Sequence, residues 1–148
     1  MGAVRRGIRA TAFMSASFVL HPRLAPPPKV VAYSAARRLG ITPEQFPRPL
    51  AEAYWIAAHF GFGISLAAAR RRLPGATRGI PYGAGVWLAN YVIALPALRL
   101  YPGPSRDNSR RAVASFAAHL IFGAVLRATR ESDRPHAGKR QRSWRFEL

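Results

Sequence analysis

Three polar side chains fall inside long apolar stretches of this sequence, where a low-dielectric setting would sharpen their chemistry: His59, His119 and Asn90, with Ser65, Ser115 and Trp87 at comparable positions. A neutral imidazole carries one donor and one acceptor nitrogen and changes charge near neutral pH, so a pair of them can relay a proton or hold a polar ligand. The same residues can instead hydrogen-bond a neighbouring helix and fix its rotation, each contributing about 0.6–2 kcal/mol. The second role is the expected one. A metal centre is not expected, because two His without Asp, Glu or Cys at the same depth leave most coordination positions empty. Glu52 lies roughly two helical turns from His59. The chain has no cysteine, which excludes disulfides and thiolate metal sites. Its six acidic residues are too scattered for paired-carboxylate catalysis, and no phosphate-cradling, nucleophile-elbow or zinc-protease motif occurs. No catalytic residue and no cofactor is expected, and the chain does not read as an enzyme.

The elements that would position these residues are four apolar segments. Residues 80–98 (IPYGAGVWLANYVIALPAL) contain no charge, and at about 1.5 Å per helical residue they are long enough to cross a hydrocarbon core of roughly 30 Å. Residues 51–69 form a second span with Glu52 at its start, and residues 112–127 a third if Arg127 reaches the interface. Residues 7–20 are the shortest and contain Arg9. That segment also resembles a signal peptide, but His21-Pro22-Arg23-Leu24 follows it instead of a small-residue cleavage site, so an uncleaved span is expected. Tyr54, Trp55, Tyr82 and Tyr101 flank the spans as an interfacial aromatic belt would. Pro96 is expected to kink the span that contains it.

Charge supports this division. The chain has 23 Lys+Arg and 6 Asp+Glu, for a formal charge of +17. Such an excess fits either a nucleic-acid binder or a membrane protein with basic loops. The basic residues fall between the apolar stretches and not along a helix face, which favours the membrane and argues against a nucleic-acid partner. With both termini cytoplasmic, 14 basic residues lie inside and 9 outside. The short loop 70–79, with four Arg and no acid, is the strongest indicator of that orientation. Residues 30–39 read as a helix on the membrane surface, ending at Gly40, and Thr42-Pro43-Glu44-Gln45 reads as a capping box. Residues 1–130 would form the membrane domain and residues 131–148 a basic, disordered tail.

The sequence repeats. Residues 57–70 (AAHFGFGISLAAAR) and 117–130 (AAHLIFGAVLRATR) share Ala-Ala-His, Phe-Gly, Leu, Ala and Arg in register. Arg23-Leu24-x-Pro26-x-Pro28 and Arg99-Leu100-x-Pro102-x-Pro104 form a second echo. Two copies of a span–loop–span unit would be related by a pseudo-two-fold axis along the membrane normal, placing His59 and His119 at equivalent depth facing the centre. Gly61, Gly63, Gly83, Gly85 and Gly123 would let the helices approach closely.

The Ala-His-x-x-Phe-Gly motif in two spans, the Tyr82-Gly83-x-Gly85-Val86-Trp87 segment and the Pro-x-Pro-Ser-Arg-Asp loop at 102–107 resemble the YagU-like family of small, uncharacterised bacterial inner-membrane proteins. The resemblance covers residues 7–130, best from Ala57 onward, and departs from the family at the basic first segment. It implies a four-helix membrane bundle and carries no site residues with it. The expectation is therefore an all-α integral membrane four-helix bundle of two repeated hairpins in a bacterial inner membrane. Its partners would be the lipid bilayer and further copies of the chain, with the small-molecule substrate unknown. The role is structural or interaction-based; the alternative is a small permease or proton-linked transporter using His59 and His119.

Overall fold

The computed structural model describes residues 2–19, 28–73 and 79–132. The loop around Arg78, the prolines at 26 and 27, and tail residues 133–148 lie outside the described residues. All regular structure among the described residues is helical: α1 (Gly2–Val19), α2 (Pro28–Arg38), a 3₁₀ turn (Pro43–Gln45), α3 (Arg48–Ala69), a second 3₁₀ turn (Arg70–Arg72), α4 (Ile80–Trp87), a π-helical stretch (Leu88–Ala94), α5 (Leu95–Ala97) and α6 (Ser109–Ser132).

Local chemistry sets the boundaries. Gly40 ends α2 at φ +75°, where its N–H bonds Arg37 O and the next N–H, of Ile41, bonds Ala36 O. This is the left-handed stop that glycine allows without Cβ strain. The capping box expected at Thr42 does not form: its hydroxyl bonds the Gln45 side chain at 2.9 Å, and Pro43–Gln45 makes only a 3₁₀ turn. Asn108 starts α6, its side-chain oxygen accepting from the backbone N–H of Arg110 at 2.9 Å and Arg111 at 3.4 Å. Just before Pro96, the site of the expected kink, the structure shows a widened helix. Proline offers no N–H and its ring crowds the carbonyl four residues back. The seven-residue π-helical stretch before α5 separates those groups.

The helices line up as α3, α1, α6, α4: α1 packs on α3 and on α6, and α4 packs on α6. Ala10, Ala67, Tyr82, Val86, Phe122 and Leu126 form the main core, with Met14, Leu66 and Val125 against it. This order departs from the expected pseudo-two-fold arrangement. That symmetry would copy the α1–α6 interface as an α4–α3 interface, but α3 meets α4 far less closely than α1 meets α6, chiefly where Tyr82 reaches Leu66 and Ala67. The environments of repeat-related residues differ accordingly. Phe122, on interior α6, is 1% exposed, whereas Phe62, on edge helix α3, is 46% exposed.

Helix α2 is packed against a neighbouring helix. It docks on the start of α3, where Ala32 and Tyr33 meet Ala51, Phe46, Tyr54 and Trp55. Glu52 is held there by the Lys29 ammonium and the Trp55 Nε1–H. The hydrogen bond to Glu52, set against some desolvation and aided by its charge, raises the Lys29 pKa above its ordinary value.

By length and composition, residues Ser109–Thr129 of α6 are the one segment among the described residues able to cross a membrane, and 28% of that segment's most apolar window is buried. Helix α3 is long, but Arg48, Glu52 and His59 interrupt its apolar character. The 80–98 segment is divided by the π-helical stretch.

Candidate functional site

The structure separates the roles expected of the intramembrane polar residues. His59 extends from α3 to α1, where its Nε2 lies 3.1 Å from Ser15 Oγ. His119 turns back onto its own helix, Nδ1 lying 2.8 Å from Ser115 O, the geometry of an imidazole N–H donating to a carbonyl. No hydrogen bond joins the two rings among the described residues. Asn90 stands in the π-helical stretch, and no side-chain hydrogen bond connects it to either imidazole among the described residues. Among the described residues, the buried hydroxyls of Thr11 and Ser115 have no hydrogen-bond partner. Each imidazole thus has a single hydroxyl or backbone partner, and the expected central pair does not assemble.

The glycines divide similarly. A Cβ at Gly63 would strike the Thr11 hydroxyl, one at Gly83 the carbonyl of His119, and one at Gly123 the carbonyl of Gly79. These three therefore support close helix approach, as expected. Gly61 and Gly85 meet nothing within 4 Å, which corrects the packing role expected of them within the chain. Gly7 also lies against the α3 backbone: a Cβ there would come within 2.6 Å of Ile64 Cα. Gly63 lies against Thr11 of α1, and Gly123 against Gly79 and Gly83 at the start of α4.

The densest polar constellation was not among the expected residues. Asp107 precedes α6 with its side chain 4% exposed. One carboxylate oxygen accepts from the hydroxyls of Tyr91 and Tyr101, the latter at 3.0 Å. The other accepts from Asn108 N–H at 2.7 Å and Arg111 Nη1 at 2.8 Å. Arg111 Nη1 also donates to the Tyr101 hydroxyl at 3.3 Å. Burial pushes the Asp107 carboxyl up, but hydrogen bonds from Tyr91, Asn108 and Tyr101 and the charge of Arg111 outweigh it, holding the pKa below its ordinary value of 3.8. Burial raises the Tyr101 phenol, with the Asp107 charge adding to it and Arg111 opposing.

An aromatic wall backs this carboxylate. Trp87 stacks on Tyr91 at 5.6 Å between centroids, and Phe116 meets Trp87 edge-on at 5.0 Å. The π-helical stretch places Tyr91, while Gly103 lets the loop lie on Pro96. The cluster ties the α5–α6 loop to both neighbouring helices. Among so few acids, an Asp four residues before an Arg at the start of an apolar helix was the signal available in the sequence. The two tyrosines could be assigned only from the tertiary structure.

The opposite end of the fold is basic. Arg70 is 6% exposed, and its Nη1 donates to Leu126 O at 2.6 Å, joining the end of α3 to α6. Tyr82 donates to Leu66 O at 2.6 Å, joining α4 to α3. No group of three or more His, Cys, Asp or Glu able to hold a metal ion occurs among the described residues. In comparison with known proteins, no family model, no curated protein and no solved structure matches the chain.

Proposed function

We propose that this chain is an integral membrane protein of the bacterial inner membrane with a structural or interaction role, its helices forming a multi-pass bundle with both termini cytoplasmic. The observation that carries this reading is the exposure of α6: its apolar segment is 28% buried, too little for the core helix of a water-soluble domain. Val113, Phe116 and Ile121 on α6 face outward, as do Ile56 and Phe62 on α3 and Leu88 and Ile93 on the π-helical stretch. Apolar exposure spread over three neighbouring elements is costly in water and favourable in lipid.

The polar groups support the same reading. Arg5, Arg6, Arg9, Arg70 and Arg72 occupy the end assigned to the cytoplasm, and the Asp107 cluster occupies the other. A single partner for each imidazole favours helix positioning over transport. The same proposal takes in the likeness to the YagU-like inner-membrane proteins.

The test is fractionation and topology of the full chain. The protein should remain in the membrane pellet after alkaline carbonate, and a reporter fused after Arg78 should be active on the cytoplasmic side. Release by carbonate would overturn the integral assignment, and periplasmic reporter activity would overturn the orientation.

A further inference from the structure

A groove of about 310 Å³ runs between the start of α4 and the end of α6, lined by Ile80, Pro81, Ala124, Arg127 and Ala128. Its size is at the lower end of small-ligand sites, about 300–1,000 Å³. Four of the five residues are apolar and the fifth carries a guanidinium. Gly79 leaves room for the stem of that side chain. At φ +87° it adopts a conformation suited to glycine, and a Cβ there would come within 3.1 Å of Arg127 Cδ. The stem of Arg127 lies across this gap, against the groove.

We propose that this groove binds an anionic phospholipid, with Arg127 on the lipid phosphate and an acyl chain along Ile80, Pro81, Ala124 and Ala128. The inference rests on the membrane reading above and adds a ligand to it. A guanidinium matches a phosphate with two parallel hydrogen bonds. The apolar remainder explains why the occupant is an amphiphile: a free phosphate would gain one cation here and lose hydration against four hydrocarbon surfaces.

Charge surroundings agree. The groove opens at the arginine-rich end of the fold, where Arg5, Arg9 and Arg72 are exposed. In the proposed orientation that end faces the cytoplasmic leaflet, whose anionic lipids attract basic residues near the surface. Those arginines attract anionic headgroups generally, and the groove selects where one of them is held.

Native mass spectrometry of the full chain in detergent, titrated with phosphatidylglycerol or phosphatidylcholine, tests the assignment. The wild type should retain phosphatidylglycerol in preference to phosphatidylcholine. Arg127→Gln should weaken that retention by about tenfold, the loss expected for one charge-assisted contact. Arg127→Lys should keep part of it, and Arg72→Gln, at the same end but outside the groove, should keep nearly all. Circular dichroism confirms that each variant is as helical as the wild type. Equal losses in Arg127→Gln and Arg72→Gln would overturn a discrete site in favour of diffuse charge. Displacement of the lipid by inorganic phosphate would overturn the lipid assignment. The parent reading fails separately, through release of the chain by carbonate; a chain that stays in the membrane but binds lipid irrespective of Arg127 refutes this proposal alone.

Discussion

Asp107 concentrates more hydrogen bonding than any other carboxylate among the described residues, accepting from two phenols, one backbone N–H and one guanidinium. Asp107→Asn keeps the shape but removes the charge and one acceptor oxygen. The variant should lose about 1–3 kcal/mol of stability, read from unfolding in detergent. The pH dependence has a defined sign. The folded-state pKa lies below the ordinary 3.8, so the contribution of Asp107 is fully present above that value and fades as pH falls through the folded pKa. The stability difference between wild type and Asp107→Asn should therefore shrink on strong acidification. Arg99 provides a second residue-scale expectation. It sits at φ 49° just after α5, where its N–H bonds Pro96 O and Leu100 N–H bonds Leu95 O. The position is left-handed, so Arg99→Gly should raise stability by about 1 kcal/mol in the same unfolding assay.

Helix pairing depends on whether a backbone approaches a glycine, and the structure provides a matched contrast. Gly123 faces the backbone of α4, and Gly61 faces open space. Gly123→Val should cost about 1–3 kcal/mol by forcing α4 and α6 apart, whereas Gly61→Val should change thermal stability by less than about 0.5 kcal/mol in detergent. Equal effects would mean that α6 does not meet α4 through Gly123. Helix ends were largely legible, because Gly40 and the prolines act through their own backbone chemistry. The π-helical stretch was not. It depends on Pro96 crowding the preceding turn, and in it Tyr91 reaches the Asp107 carboxylate beyond the loop.

Across the whole molecule, α1 lies between α3 and α6, so the two imidazoles are held by different elements. The helix-positioning role predicts that His59→Ala/His119→Ala inserts normally, with His59→Ala costing about 0.6–2 kcal/mol for its interhelical bond to Ser15 and proton flux in vesicles equal to wild type. A lower flux in the double variant would restore the transport alternative. The row of helices leaves α3 and α4 on the outside, each with a broad apolar face toward its surroundings. In a closed symmetric bundle both would be half covered.

By itself, the sequence determined the helical class, the basic charge, the absence of thiol chemistry and several helix ends. Periodicity, composition and backbone restrictions act over a few residues and need no partner. It also marked Gly63, Gly83 and Gly123, because small side chains are needed wherever helices touch. Only the tertiary structure decided that α1 separates α3 from α6, that His119 bonds its own helix, and that Tyr91, Tyr101 and Arg111 meet on Asp107. Those outcomes depend on which helix faces which. That choice comes from packing surfaces assembled across the chain, such as Phe122 and Leu126 against Ala10 and Tyr82.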